Sequence, residues 1–155
     1  EMCIRDRKHL FTFGGEHKRF TAGTERVVVN FRGVRILLEV CYDLRFPVWS
    51  RNLGDYDMIL YVASWPTPRV DAWSALLRAR AIENQCYVAG VNRMGTDPAC
   101  EYSGGSAIID PYGKTIAECP WSRESAVSAD IDMEALQAFR KKFPVLDDAD
   151  PFTLI

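Results

Sequence analysis

The run LLEVCYDLRFP, residues 37–47, constrains this chain more than any other segment. Val34 to Val40 are rich in Val, Ile and Leu, the composition of a strand buried on both faces. At Cys41 the pattern changes abruptly. Asp43, Arg45 and Pro47 do not suit a continuing central strand, and Pro47 suits the first turn of a helix. Such a strand-to-helix corner lifts a thiol out of a sheet and aims backbone N–H groups at whatever the thiol attacks. Spacing alone also fits a small core cysteine, because free cysteines are among the most buried residues.

The rest of the chain reads as strands interleaved with helices. Arg26 to Phe31 alternates and pairs with Val34 to Val40 through a turn at Arg32-Gly33. Tyr56 to Ala63 is the next buried strand, broken by Ser64 to Pro68. Val70 to Gln85 then carries Val70, Trp73, Leu76, Leu77 and Ala81 at helical spacing. Tyr87 to Asn92 is another apolar strand. Ser106 to Ile109 and Lys114 to Ala117 flank Asp-Pro-Tyr-Gly, a type I turn signal. Met133 to Lys142 reads as an amphipathic helix before an acidic tail, DDADP, expected either to pack on a neighbouring surface or to remain mobile. The pattern predicts an α/β layer architecture.

Composition narrows the function by exclusion. A formal net charge of −2 gives no reason to expect nucleic acid or an anionic membrane as partner. No apolar run is long enough to span a bilayer. Five cysteines, an odd number with no CxxC pair, point to a reducing, cytoplasmic compartment rather than a disulfide framework. Cys86, Cys100 and Cys119 carry no motif and are expected to be inert or surface thiols. No metal is expected: His9 and His17 flank a glycine-rich loop with Glu16, but no second ligand pair follows at a usual spacing.

Four segments, CYDLRFPVWSRN, DYDMILYVASWP, RARAIENQCYVAGVNRMG and GGSAIIDPYGKTIAE, together resemble the nitrilase superfamily of carbon–nitrogen hydrolases, and within it the omega-amidases. The resemblance implies an αββα sandwich, of which this chain would form the C-terminal part. Residues 8–132 would belong to the hydrolase domain and 133–155 would form a C-terminal helix and tail. Members of the family use a Glu–Lys–Cys constellation without a cofactor. Cys41 is then the nucleophile, forming a thioester with a small-molecule amide and releasing ammonia, while the Tyr42 backbone N–H donates to the oxyanion. Glu16 in FGGEHKRFTAG matches the second glutamate of the family; read by itself it is a solvated loop charge. The family lysine position falls on Arg7, and Lys8 is one place off, which on a strand means the opposite face. Residues 1–7 look foreign to the family, and the part carrying the general-base glutamate is expected before His9, so no residue here takes that role.

The omega-amidase likeness implies 2-oxoglutaramate and 2-oxosuccinamate as substrates, whose distal carboxylate needs a cationic or amide-donating site. Arg45 and Arg69 are the available cations. Trp65 fits a pocket wall and ordinary core packing equally well. Arg80, Glu83 and Asn84 match a family motif yet read as structural, with Arg80 and Glu83 spaced as a helix ion pair. Two other readings stand beside this one: an inactive, truncated chain, and another branch such as a nitrilase or carbamoyl-amide hydrolase. A homo-oligomer is expected for the full-length parent.

Overall fold

A computed structural model describes residues 8–153. Its centre is a six-stranded sheet in the order β1-β2-β3-β4-β7-β8. The strands are β1 (Val27–Phe31), β2 (Val34–Val40), β3 (Met58–Ala63), β4 (Tyr87–Asn92), β7 (Ala107–Ile109) and β8 (Thr115–Glu118), while β5 (Met94–Thr96) and β6 (Glu101–Ser103) form a separate hairpin. The helices are α1 (Pro47–Ser50), α2 (Val70–Glu83) and α3 (Met133–Lys142).

Turn chemistry explains the two hairpins at the sheet margins. Arg32 and Gly33 both have positive φ, 51° and 84°, the pattern of a type I′ turn, whose twist matches that of the flanking strands. The Asn30 side chain accepts from the Gly33 N–H. At the other margin the Asp110 carbonyl accepts from the Gly113 N–H, and the Asp110 carboxylate accepts from Tyr112 and Lys114. The strand before this turn begins one residue later than the sequence suggests, and the strand after it both begins and ends one residue later.

In the middle, β2, β3 and β4 run parallel. Leu37, Ile59, Val88 and Ile109 are successive register partners on one face, and all four are buried in one cluster with Trp73, Leu77 and Ala81 of α2. Gly90 lets α2 sit this close: a Cβ there would lie 2.6 Å from a Leu77 methyl and 2.8 Å from the Trp73 ring. On the other face, Ile36, Leu38, Met58 and Leu60 are half-buried.

The α2 helix stops at Glu83, two residues short of the expected end. Gln85 takes φ 43°, the Cys86 N–H reaches the Ala81 carbonyl and the Gln85 N–H reaches the Ile82 carbonyl, a Schellman closure with glutamine where glycine is usual. The Gln85 amide donates to the Phe143 carbonyl, which ties this left-handed turn to the end of α3. The α3 helix packs on a neighbouring surface of its own chain. Asp132 caps its N-terminus through the Ala135 N–H, Leu136 is buried, and Arg140 reaches Asp57, Tyr56 and Gln85.

Candidate active site

The carboxyl ends of β2, β3 and β4 bring Cys41, Ser64 and Asn92 to one side of the sheet. Strand β2 ends at Val40, and Cys41 takes φ 50°, a left-handed conformation uncommon for a residue bearing a Cβ. From there a 3-10 turn over Cys41–Arg45 leads to Pro47 at the first turn of α1, the corner expected from the sequence. The Asp43 carboxylate braces it. One oxygen accepts from the Val40 N–H at 3.2 Å, and the other accepts from the His9 backbone N–H at 2.8 Å and lies 2.9 Å from His9 Nδ1. Burial raises the Asp43 carboxyl above its ordinary range, while the hydrogen bonds from His9 and Val40 oppose that rise. The His9 ring stacks on Phe46 with centroids 3.7 Å apart.

A cavity of about 840 Å³ opens over this corner. Cys41, Tyr42 and Arg45 line it from the turn, Glu16 and Phe11 from the glycine-rich loop, and Trp65 and Arg69 from the segment after β3. The Cys41 thiol lies 3.9 Å from the Ser64 carbonyl oxygen. Glu16 is half-buried, and one of its oxygens accepts from the Phe11 N–H at 2.6 Å, which folds the glycine-rich loop back towards the pocket. The first turn of a helix leaves N–H groups without intrahelical acceptors, and Tyr42 holds such a position. Lys8 places its ammonium 5.4 Å from the centroid of the Trp49 ring and does not line the cavity. Arg7, expected at the family lysine position, lies outside the described residues.

Trp65 serves both roles the sequence allows. It is 3% exposed and packs at 5.5 Å from Trp73, yet one side of it lines the pocket with the Arg45 guanidinium 4.9 Å from its ring centroid. Asn92 fixes it there, accepting from the Trp65 N–H and donating to the carbonyls of Trp65 and Gly104. Arg80, Glu83 and Asn84 are structural as expected. Arg80 pairs with Glu83 at 2.8 Å and donates to the Leu44 carbonyl beside Arg45, and Asn84 clasps Asn52.

The far wall is the β5–β6 hairpin, which periodicity does not reveal because its strands are only three residues each. It contributes Tyr102 and Cys100, a thiol expected to be inert or on the surface. Asp97 makes the wall firm: its carboxylate accepts from the Ala99 and Cys100 N–H groups and from the Tyr102 hydroxyl. Burial and the bond to Asp97 push the Tyr102 phenol up to about 12. An aspartate opening a Pro-containing turn was the available signal. By contrast Cys86 is fully buried, and burial pushes its thiol far above the ordinary range.

Behind the corner sits a buried acid. Glu39 is fully buried on β2 and accepts from Ser50 Oγ at 2.8 Å, with the Tyr61 hydroxyl 3.1 Å from the same Ser50 oxygen. Burial pushes the Glu39 carboxyl up to about 7, against the opposing hydrogen bonds from Tyr61 and Ser50. Among the described residues no group of three His, Cys, Asp or Glu side chains could hold a metal ion, and no helix is long and apolar enough to cross a membrane.

Residues 3–141 match the carbon-nitrogen hydrolase family. The chain is 55% identical over 150 residues to the omega-amidase YafV of Escherichia coli strain K12, covering 96% of this chain and 59% of that protein. It is 42% identical over 142 residues to the 2-oxoglutaramate amidase of Bacillus subtilis, covering 90% of this chain and 54% of that one. Among solved structures it superposes with a TM-score of 0.93 and 47% identity on XC1258 of Xanthomonas campestris, a CN-hydrolase superfamily protein crystallised with an arsenic adduct in its active site. That match covers 97% of this chain and 60% of XC1258. The chain thus spans about three fifths of the length of these first relatives.

Proposed function

The chain belongs to the carbon-nitrogen hydrolase family, and from that premise we propose that the protein hydrolyses the terminal amide of small dicarboxylic acid monoamides, 2-oxoglutaramate and 2-oxosuccinamate, through Cys41. The observation that carries this reading is the left-handed Cys41 at the end of β2, facing a cavity that Glu16 and Arg45 also line. The relatives named omega-amidase and 2-oxoglutaramate amidase support the substrate class.

In this reaction the Cys41 sulfur attacks the amide carbonyl carbon, and its proton passes to a carboxylate base that we assign to no residue among 8–153. The carbonyl oxygen becomes an oxyanion, to which the Tyr42 N–H donates. Collapse of the tetrahedral intermediate breaks the C–N bond, and the nitrogen leaves as ammonia after taking a proton. Water then attacks the thioester, giving the dicarboxylate and restoring the thiol. Glu16 serves as the second glutamate, orienting substrate and nucleophile. Arg45, its guanidinium carbon 4.9 Å from the Trp65 ring centroid, offers its N–H groups to the distal carboxylate. The small-molecule partner and a reducing, cytoplasmic setting belong to the same proposal.

The test is ammonia release from 2-oxoglutaramate by the full-length protein and its Cys41→Ala and Cys41→Ser variants, with intact mass measured after quenching. Activity confined to wild type, with a thioester adduct seen only when Cys41 is present, is expected. Undiminished turnover in both variants would remove Cys41 from the mechanism.

A further inference from the structure

Among the described residues Arg45 is one of two arginines on the pocket wall, and the other, Arg69, is unused by the reaction above. We propose that Arg69 is a second anion-recognition residue, which together with Arg45 selects monoamides ending in a 2-oxo acid. The inference rests on the amidase reading for its substrate, but its geometry is independent of the nucleophile.

Arg69 ends the short 3-10 turn that follows Trp65 and leads into α2. Its carbonyl accepts from Trp65 Nε1 at 2.7 Å, so its backbone is tied to the same indole that supports Arg45. Its guanidinium carbon lies 5.8 Å from the centroid of the Phe11 ring, in the loop that carries Glu16. Both arginines therefore sit on aromatic rings of the pocket wall. A guanidinium seated on a ring face keeps its in-plane N–H edge for an anion, with little rotamer freedom left to lose on binding. Of the described arginines away from the cavity, Arg26 pairs with Asp55, Arg35 and Arg140 with Asp57, Arg80 with Glu83 and Arg93 with Asp97, while Arg19, Arg32, Arg51, Arg78 and Arg123 have no carboxylate pair and do not line it. Among the described residues neither Arg45 nor Arg69 has such a partner.

Among the described residues the lining thus holds two cations and one carboxylate, Glu16. A lone carboxylate is satisfied by a single bidentate fork. The end of a 2-oxo acid offers a carboxylate and a conjugated keto oxygen side by side, which is more acceptor than one fork covers. Two guanidiniums on neighbouring walls match that acceptor set. A neutral amide would use neither.

The experiment compares the full-length wild type with Arg69→Met and Arg69→Lys on three substrates: 2-oxoglutaramate, glutaramate, which lacks the keto group, and neutral butanamide. Arg69→Met should raise KM for 2-oxoglutaramate about tenfold or more, with kcat falling much less, as expected for loss of one charge-assisted contact. The effect should shrink for glutaramate and shrink further for butanamide, and Arg69→Lys should recover part of it. An equal loss on all three substrates would reduce Arg69 to a clasp on Phe11 and overturn the proposal. Calorimetric binding of 2-oxoglutarate to the same proteins separates this inference from the amidase reading. Binding weakened by Arg69→Met in a protein that hydrolyses no amide sustains the anion site and sinks the amidase. Binding unchanged by Arg69→Met overturns the anion site whatever the turnover.

Discussion

The two ends of the parallel strands β2, β3 and β4 are built to opposite specifications. At the amino ends, Asp57 is held by two arginines: Arg35 donates through its backbone N–H, Nε and one terminal nitrogen, and Arg140 donates from α3 at 2.9 Å. Burial would raise the Asp57 carboxyl, yet these hydrogen bonds and charges outweigh it and hold it below its ordinary value. At the carboxyl ends the chain keeps a thiol in a left-handed turn, two arginines seated on rings and an open cavity. Charge is spent on cohesion at one end and left available to a ligand at the other. Binding sites at the carboxyl ends of parallel strands follow a general rule of α/β sheets, and the ion-paired opposite end shows what such a sheet does where it has no ligand to meet.

Breaking each end in turn should give non-overlapping damage. The largest effect is expected from Cys41→Ala: turnover falls by about 10³-fold or more, while the melting temperature stays within about 2 °C of wild type. A large loss of stability in that variant would mean that the corner is part of the core. Next comes Asp57→Ala, which strands Arg140 and Arg35 and should cost about 3–5 kcal/mol in denaturant unfolding. Measured on folded protein, its kcat/KM should remain near wild type. A collapse of kcat/KM with unchanged stability would show the two ends to be coupled.

Glu39 sharpens the comparison through pH. Its folded value is raised, so between its ordinary 4.5 and about 7 the folded protein holds a proton that the unfolded chain has released. Stability from this group is therefore fully present below 4.5 and is lost as pH climbs through about 7, the reverse of the Asp57 contribution, which is lost in acid. At about 1.4 kcal/mol per tenfold, the Glu39 effect is worth roughly 3 kcal/mol. Glu39→Gln should flatten the fall in unfolding free energy between pH 5 and pH 8 by about that amount. A slope unchanged by the substitution would remove Glu39 as its source. The smallest effect is expected from Lys8→Ala. Its ammonium lies over Trp49 rather than in the pocket, so the loss should be about 0.5–1 kcal/mol of stability with turnover changed less than about twofold. Abolished activity would place the family lysine at Lys8 and overturn the strand parity that assigns it to Arg7.

The sequence exposes the corner because composition switches within a few residues, from Val, Ile and Leu to Asp, Arg and Pro around Cys41. The hairpin turns and α2 are legible for similar local reasons. Glu16 is legible only through the family resemblance, since a glutamate in a glycine-rich loop has no local signature of burial. The β5–β6 wall escapes because three residues cannot display a period, and Cys100 is brought to the pocket by the Asp97 turn rather than by any motif. The Asp57–Arg140 pair is out of reach for a different reason. Its members lie 83 positions apart, and nothing in either neighbourhood announces the other.

That separation also sets an order of events as the chain folds. The hairpin of β1 and β2 closes over a two-residue turn, whereas the Arg140 bonds to Asp57 and Tyr56 close loops of 83 and 84 residues. The amino ends of β3 and β4 therefore acquire their clamp last. Amide protons there should be among the first to exchange when α3 undocks, which hydrogen exchange on wild type and Asp57→Ala would show.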